Sequence, residues 1–356
     1  MNLLFVCLSA DAADPVHATA VRWIEILAGR AEIDHLAVLT LHAGEISAPP
    51  NVTIRVFRGR SRMGTAWKFY REVSRAMQRG IDAFFVYQSG PYPVLLWPVT
   101  LWHRLPLYYW KAHPRISTWT WLSARFVATK VFTPTPASLP LSLPNVVVVG
   151  HGIDVTRFSP VPGASPQRDI VTIGRVAPVK RVDAMLAALA RCNARFGSRL
   201  RLDVYGPTLP KDDGYRRDLD RLVEELGLST LVAFHGPVAQ SEVPEILASY
   251  RLSLNFSDTA LDKAVVESMA CGLPVLSTNP AVAEILPPAL RAQLIVPAHD
   301  IESQAEGMHR LMGMSDPARA EMVASLRRLV VNGHNLEALI GRILQEIDVT
   351  SRAHRR

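Results

Sequence analysis

Glu267 sits where a carboxylate is hard to keep. The stretch Lys263-Ala264-Val265-Val266-Glu267-Ser268-Met269-Ala270 has the apolar spacing of a helix, and Gly272-Leu273-Pro274 ends it. Apolar helices rarely hold an acid without a partner. Lys263 stands four residues ahead, one turn away on the same face. Two readings follow. Glu267 closes an internal ion pair or cap, or it stays ionised near cations and accepts two hydroxyl hydrogen bonds, the geometry of a ribose 2′,3′-diol. A second cluster is Gly174-Arg175-Val176-Ala177-Pro178-Val179-Lys180, between a strand-like run (170–174) and a helix. Gly174 lets a ligand approach the backbone. Arg175 and Lys180 can both reach an anion, and a helix N-terminus adds to their field. A diphosphate fits that loop; two solvated cations on a turn would look the same in sequence.

The elements that must position these residues alternate. Apolar runs at 2–9, 34–41, 52–57, 83–88 and 106–110 read as strands, and 16–30 and 64–80 as helices, with Asp14 as the N-cap of the first. Residues 145–154 close this half, and 156–169, rich in Pro, Gly and Ser, reads as a linker. The alternation then restarts at 170 and runs to a strand at 251–257, after which comes the helix of Glu267. Amphipathic helices are expected at 302–314 and 335–347. Such alternation predicts α/β architecture with two doubly wound parallel-sheet domains. The expected division is 1–152 as the first domain, 153–169 as linker, 170–333 as the second domain, and 334–356 as a helix crossing back to the first. Ligands of such sheets bind at the C-terminal strand ends, here facing a central cleft.

With 356 residues the chain is long enough for two cores. Residues 1–150 hold 15 Lys and Arg against 8 Asp and Glu, so the whole net charge of +7 lies there. The same half carries Trp97, Trp102, Tyr108, Tyr109, Trp110, Trp119 and Trp121. Basic residues beside interfacial aromatics suit an anionic acceptor or peripheral contact with an anionic membrane; a solvated basic surface over an aromatic core is the alternative. No recognition motif accompanies the charge, so nucleic acid is not an expected partner. No run is long enough to span a bilayer, and 94–110 is interrupted by Pro98, Pro106 and His103-Arg104. The start, MNLLFVCLSADAADP, reads as a strand without a secretory signal. Cys7, Cys192 and Cys271 lack pairing or metal spacing, which suits a cytoplasmic protein and predicts no metal site.

IGRVAPVKRVD (173–183), FHGPV (234–238) and VVESMACGLPVLST (265–278), in this order, resemble the GT-B retaining glycosyltransferases of glycosyltransferase family 4. VVVVGHGIDVTRF (146–158) resembles the family's hinge-proximal signature. The resemblance implies a GT-B fold of two Rossmann-like domains. It implies transfer of a hexose-type sugar from a UDP- or GDP-sugar to a glycan or lipid-linked acceptor in polysaccharide or glycoconjugate biosynthesis. The nucleotide sugar is the substrate, and neither cofactor nor metal is implied. Chemistry would be front-side displacement, with the leaving phosphate drawing the acceptor proton. Arg175 and Lys180 match the pair that neutralises the diphosphate, and Glu267 the acid that holds the ribose. His235, Gly236 and Val238 match the loop against which the base packs. Gly206 matches a turn facing the nucleotide, and Gly174 opens the phosphate loop.

Some positions depart from the pattern. The first acid of the Glu-x7-Glu motif falls at Thr259, flanked by Asp258 and Asp262. LDKAVVES resembles a variant in which the pair Asp262-Lys263 precedes the second acid, with Lys263 on phosphate or sugar. Where members have a Gly-Gly loop after the first strand, this chain has Asp14-Pro15-Val16-His17-Ala18, so His17 is either a phosphate contact or a surface histidine. His113 matches a residue near the donor sugar, or is an ordinary loop histidine. His103 and His151 read as structural, the latter where many relatives have Asn. Because of Thr259, a catalytically weak or inactive binding scaffold is the rival expectation. A nucleotide-sugar epimerase is disfavoured by the motif combination, and a Rossmann dehydrogenase by the lack of Gly-x-Gly-x-x-Gly after a first strand.

Overall fold

The computed structural model describes residues 1–14, 19–44, 46–163, 165–257 and 260–354, with side chains as far as 348. The chain divides into two compact units, Met1–Gly150 with Leu336–Arg356, and His151–Asn335.

In the first unit, β1 (Asn2–Ala10), β2 (His35–Ala43), β3 (Val52–Val56), β4 (Ala83–Tyr87), β5 (Leu107–Trp110), β6 (Lys130–Thr133) and β7 (Val146–Val148) form one sheet. Its order is β3-β2-β1-β4-β5-β6-β7, and every pairing is parallel. The helices between them are α1 (Thr19–Ala28), α2 (Arg62–Met77), α3 (Pro91–His103) and α4 (Thr118–Leu122), the last running into a π-helical turn, Ser123–Val127. Side chains alternate across a strand, so β1 feeds two cores. Leu3, Phe5 and Cys7 pack with Trp23 of α1 and with Leu339, Ile340 and Ile343 of the C-terminal helix Leu336–His354. Leu4 and Val6 pack on the other side with Phe69 and Val73 of α2 and Leu96 of α3.

The aromatic stretch splits between the two expectations for it. Tyr108, Tyr109 and Trp110 are core residues of β5, whereas Trp97, Trp102, Trp119 and Trp121 are exposed. The helix α3 went unread in the sequence because prolines look like breakers. Pro91 falls at the first turn, where a missing N–H costs little, and the helix runs on through Pro98. It stops at Arg104, in the left-handed conformation.

The second unit has a five-stranded parallel sheet, order β10-β9-β8-β11-β12. The strands are β8 (Arg168–Ile173), β9 (Leu202–Tyr205), β10 (Val232–Gly236), β11 (Tyr250–Asn255) and β12 (Val275–Ser277). Around them lie α5 (Val182–Phe196), α6 (Asp213–Glu225), α7 (Val243–Ala248), α8 (Lys263–Ala270), α9 (Pro280–Ile285), α10 (Pro288–Leu294), α11 (Ile301–Met312) and α12 (Asp316–Gly333). The stretch read as a linker is anchored within this unit. Ile153 and Phe158 are buried, and the Ile153 amide donates to the His334 carbonyl at 2.7 Å. Strand β8 already begins at Arg168, and β11 ends at Asn255, two residues earlier than its sequence suggests.

Candidate active site

The C-terminal ends of β8, β9 and β10 come together as three glycine corners. Gly174 has φ 150°, Gly206 φ 138° and Gly236 φ 74°. The Gly206 amide donates to the Gly236 carbonyl at 2.7 Å, and the Gly174 amide to the Tyr205 carbonyl at 2.9 Å. A Cβ on Gly206 would lie 2.0 Å from the Gly174 carbonyl oxygen, so no side chain fits there. This close approach fixes the loop that carries Arg175 and Lys180. A 3-10 turn, Pro178–Lys180, then leads through Arg181, whose φ is 52°, into α5.

On that edge three cations meet three carboxylates. Arg175 Nε lies 4.0 Å from Asp212 Oδ2, Lys180 pairs with Asp262, and Lys263 Nζ lies 2.9 Å from Glu267 Oε1. Asp262 is the junction of the group. It accepts from Asn255 Nδ2 at 3.0 Å and from the Ala264 amide at 3.3 Å, capping α8. Arg175 is the loosest of the three cations, because 4.0 Å is beyond hydrogen-bond reach and the buried Asp212 Oδ2 has no hydrogen-bond partner among the described residues. An arriving dianion would therefore meet one guanidinium held at arm's length and two ammonium groups that can be shared.

Glu267 is only 8 % exposed. The Lys263 ammonium lies 2.9 Å from Glu267 Oε1 as an ion pair, and among the described residues no donor meets that oxygen in hydrogen-bond geometry. The ion pair expected of this carboxylate is thus present.

The sequence reading missed the braces behind this edge. Asn279 caps α9 and donates to Ser257 Oγ at 3.2 Å and to the Ala260 carbonyl at 3.3 Å. Ser257 Oγ in turn donates to Asn255 Oδ1 at 3.2 Å. Polar residues closing the apolar runs RLSLNFS and VLSTN were the available signal. His151 was read as structural, yet it borders the same charges. Burial, followed by Lys263 and His334, pushes its pKa down to about 3, with Asp262 opposing. Its amide donates to His334 Nδ1 at 2.9 Å, and its own Nδ1 is buried without a hydrogen-bond partner among the described residues.

The remaining expected residues fall elsewhere. His235 belongs to β10, where Nε2 lies 2.7 Å from Asp203 Oδ1 and the ring stacks on Tyr205 at 4.3 Å. Its ring is committed to that network, whereas Gly236 and the half-buried Val238 stay at the strand end. His113 belongs to the first unit, beyond the end of β5. Its Nδ1 accepts from the Arg115 amide at 3.0 Å, which leaves Nε2 to carry the proton of the neutral ring. Burial, with Lys111 and Arg115, holds its pKa below the ordinary histidine value. His17 and Thr259 lie outside the described residues.

Residues 167–314 match the model of the family Glycosyl transferases group 1. The D-inositol 3-phosphate glycosyltransferase of Rhodococcus opacus (strain B4) is 30 % identical over 196 residues, covering 51 % of this chain and 43 % of that protein. The putative colanic acid biosynthesis glycosyltransferase WcaL of Escherichia coli (strain K12) is 26 % identical over 205 residues, covering 55 % and 49 %. The match thus spans about half the length of these curated relatives or less. Among solved structures, Anabaena Alr3699/HepE in complex with UDP superposes with a TM-score of 0.76 at 16 % identity, covering 98 % of this chain and 100 % of that one. WaaG, a glycosyltransferase involved in lipopolysaccharide biosynthesis, gives 0.66 at 16 % identity over 96 % and 98 %. The fold is GT-B. Within it, the second unit is the part that carries both the family match and the three glycine corners.

Proposed function

We propose that the protein is a glycosyltransferase that moves a hexose-type sugar, with retained anomeric configuration, from a UDP- or GDP-sugar to a glycan or lipid-linked acceptor. The observation that carries this reading is the buried Glu267 carboxylate, whose Oε1 meets no hydrogen-bond donor among the described residues, on the sheet edge that also holds Arg175, Lys180 and Lys263. Glu267 takes the ribose hydroxyls. Arg175 leaves Asp212 for the diphosphate, and Lys180 and Lys263 share their charge with it. Negative charge grows on the departing nucleotide as the glycosidic bond breaks, and fixed cations stabilise that growth more than the ground state. Guanidinium and ammonium groups supply the positive charge, so the reaction is metal-independent. His113, neutral with its proton on Nε2, is assigned to a hydroxyl of the donor sugar.

UDP-sugars are the donors to try first, because the Anabaena relative was captured with UDP and with UDP-glucose. The inverse arrangement, nucleotide binding without transfer, is the second reading, and Thr259 in place of the first motif acid favours it. The test is incubation with UDP- and GDP-hexoses in chelator, with polyprenyl-linked and free glycan acceptors, followed by NMR of the anomeric proton. A product with the donor's configuration supports the proposal. Nucleotide binding with neither transfer nor donor hydrolysis moves the assignment to a scaffold.

A further inference from the structure

The first unit presents a surface that the residues assigned to the donor do not share. Helix α3 is apolar around most of its circumference, and its outward side exposes Trp97, Leu101 at 65 % and Trp102 at 85 %. Trp119 and Trp121 of the neighbouring α4 and Phe126 of the π-helical turn are also exposed, as are Met63 and Trp67 of α2 at 85 % and 62 %. These helices are neighbours. The Tyr70 hydroxyl of α2 donates to the Leu95 carbonyl of α3 at 2.8 Å, and the Ser123 hydroxyl of the π turn donates to the Gly90 carbonyl that precedes α3 at 2.7 Å. Scattered exposed apolar residues are ordinary, but large aromatics gathered on adjoining helices mark a surface that something covers.

The charge around it says what. From Ala83 to Ile153 the chain contains no Asp or Glu, while it holds Arg104, Lys111, Arg115, Arg125 and Lys130. Ile46 to Arg71 is also free of acids. Guanidinium groups sit over the outward rings: Arg71 lies 4.8 Å from the Trp67 centroid and Arg125 5.3 Å from that of Phe126. A second copy of this surface would bring like charges together. Helix α3, with 13 residues, spans about 20 Å and is too short to cross a bilayer. Among the described residues no helix is long and apolar enough to do so. A short apolar helix rimmed by tryptophan and arginine matches the boundary between headgroups and acyl chains.

We propose that the α2–α3–α4 surface of the first unit docks in the plane of an anionic lipid bilayer, with Trp97, Leu101 and Trp102 inserted below the headgroups and the arginines on lipid phosphates. This goes beyond the transfer reaction and does not depend on it, since vesicle binding and nucleotide binding can fail separately. The experiment is co-sedimentation of the full chain with vesicles of phosphatidylcholine alone, or of equal parts phosphatidylcholine and phosphatidylglycerol, at low and high salt. The wild type is compared with Leu101→Glu/Trp102→Glu and with Arg104→Glu/Arg125→Glu, with thermal melts of each to verify folding. The expected result is binding to the anionic vesicles, weakened by salt and reduced about tenfold or more in either folded variant. No sedimentation of the wild type, or equal sedimentation of a folded Leu101→Glu/Trp102→Glu protein, overturns the proposal. So does a dimer in light scattering that this variant splits, because the surface would then be a contact between copies.

Discussion

Glu267 could be singled out from sequence because a carboxylate inside VVESMACG has no partner but Lys263 within its own helix. The pairing of Lys180 with Asp262 could not, because it joins residues 82 positions apart whose meeting depends on β8 and β11 being neighbours. Gly206 is a sharper case. The sequence marks it as a turn glycine, but only the structure reveals that its Cα faces the Gly174 carbonyl. Gly206→Ala would therefore combine a backbone clash with a φ of 138°, and we expect a loss of about 3 kcal/mol or more in urea unfolding. His151 reads only as structural in the sequence, because one histidine in a Gly-His-Gly turn has no periodicity to reveal its neighbours. Its pKa, about 3 in the fold, lies below the value of about 6.5 in the unfolded chain. The unfolded chain takes up a proton that the folded one refuses, so stability is full above pH 6.5 and falls as pH drops toward 3. From pH 7 to 5 this site alone removes about 2 kcal/mol. His151→Asn should flatten the pH dependence of the urea midpoint across that range by about this amount; an unchanged slope would show that the imidazole is not held neutral.

At the scale of elements, most strands were legible because a sheet buried on both faces writes near-continuous apolar runs, whereas the short β6 and β12 went unread. Helices with mixed signals were not. Prolines concealed α3, and α12 shows only Met322, Leu326 and Val330 buried, a stripe one residue wide among charges. Yet α12 carries the arginine that ties the second unit's entry segment down. Arg327 donates to the carbonyls of Phe158, Ala270 at 2.8 Å and Val155 at 2.7 Å, joining that segment to the end of the Glu267 helix. Arg327→Met keeps the apolar stem and strips three carbonyls of their donor. The expected cost is about 3 kcal/mol in chemical denaturation, with weaker nucleotide binding because the end of α8 loses its anchor. A variant as stable as wild type would show that water replaces the guanidinium.

For the whole molecule, the two α/β units and the motif order were readable because doubly wound sheets impose strand–helix alternation, and their strand-end loops carry the glycines. The exposed aromatic face was half readable. Composition placed tryptophans and arginines together, but only packing separated the core rings of β5 from the outward rings of α3 and α4. In the proposed donor site the ribose hydroxyls depend on one carboxylate, Glu267. The most direct measurement is calorimetric titration of UDP, GDP and ADP, in chelator, into wild type and Glu267→Gln, a substitution that keeps the shape and removes the charge. The expected result is that one nucleotide binds the wild type and that the variant loses about 10- to 100-fold in affinity. No binding by any nucleotide, or equal binding to both proteins, would contradict it.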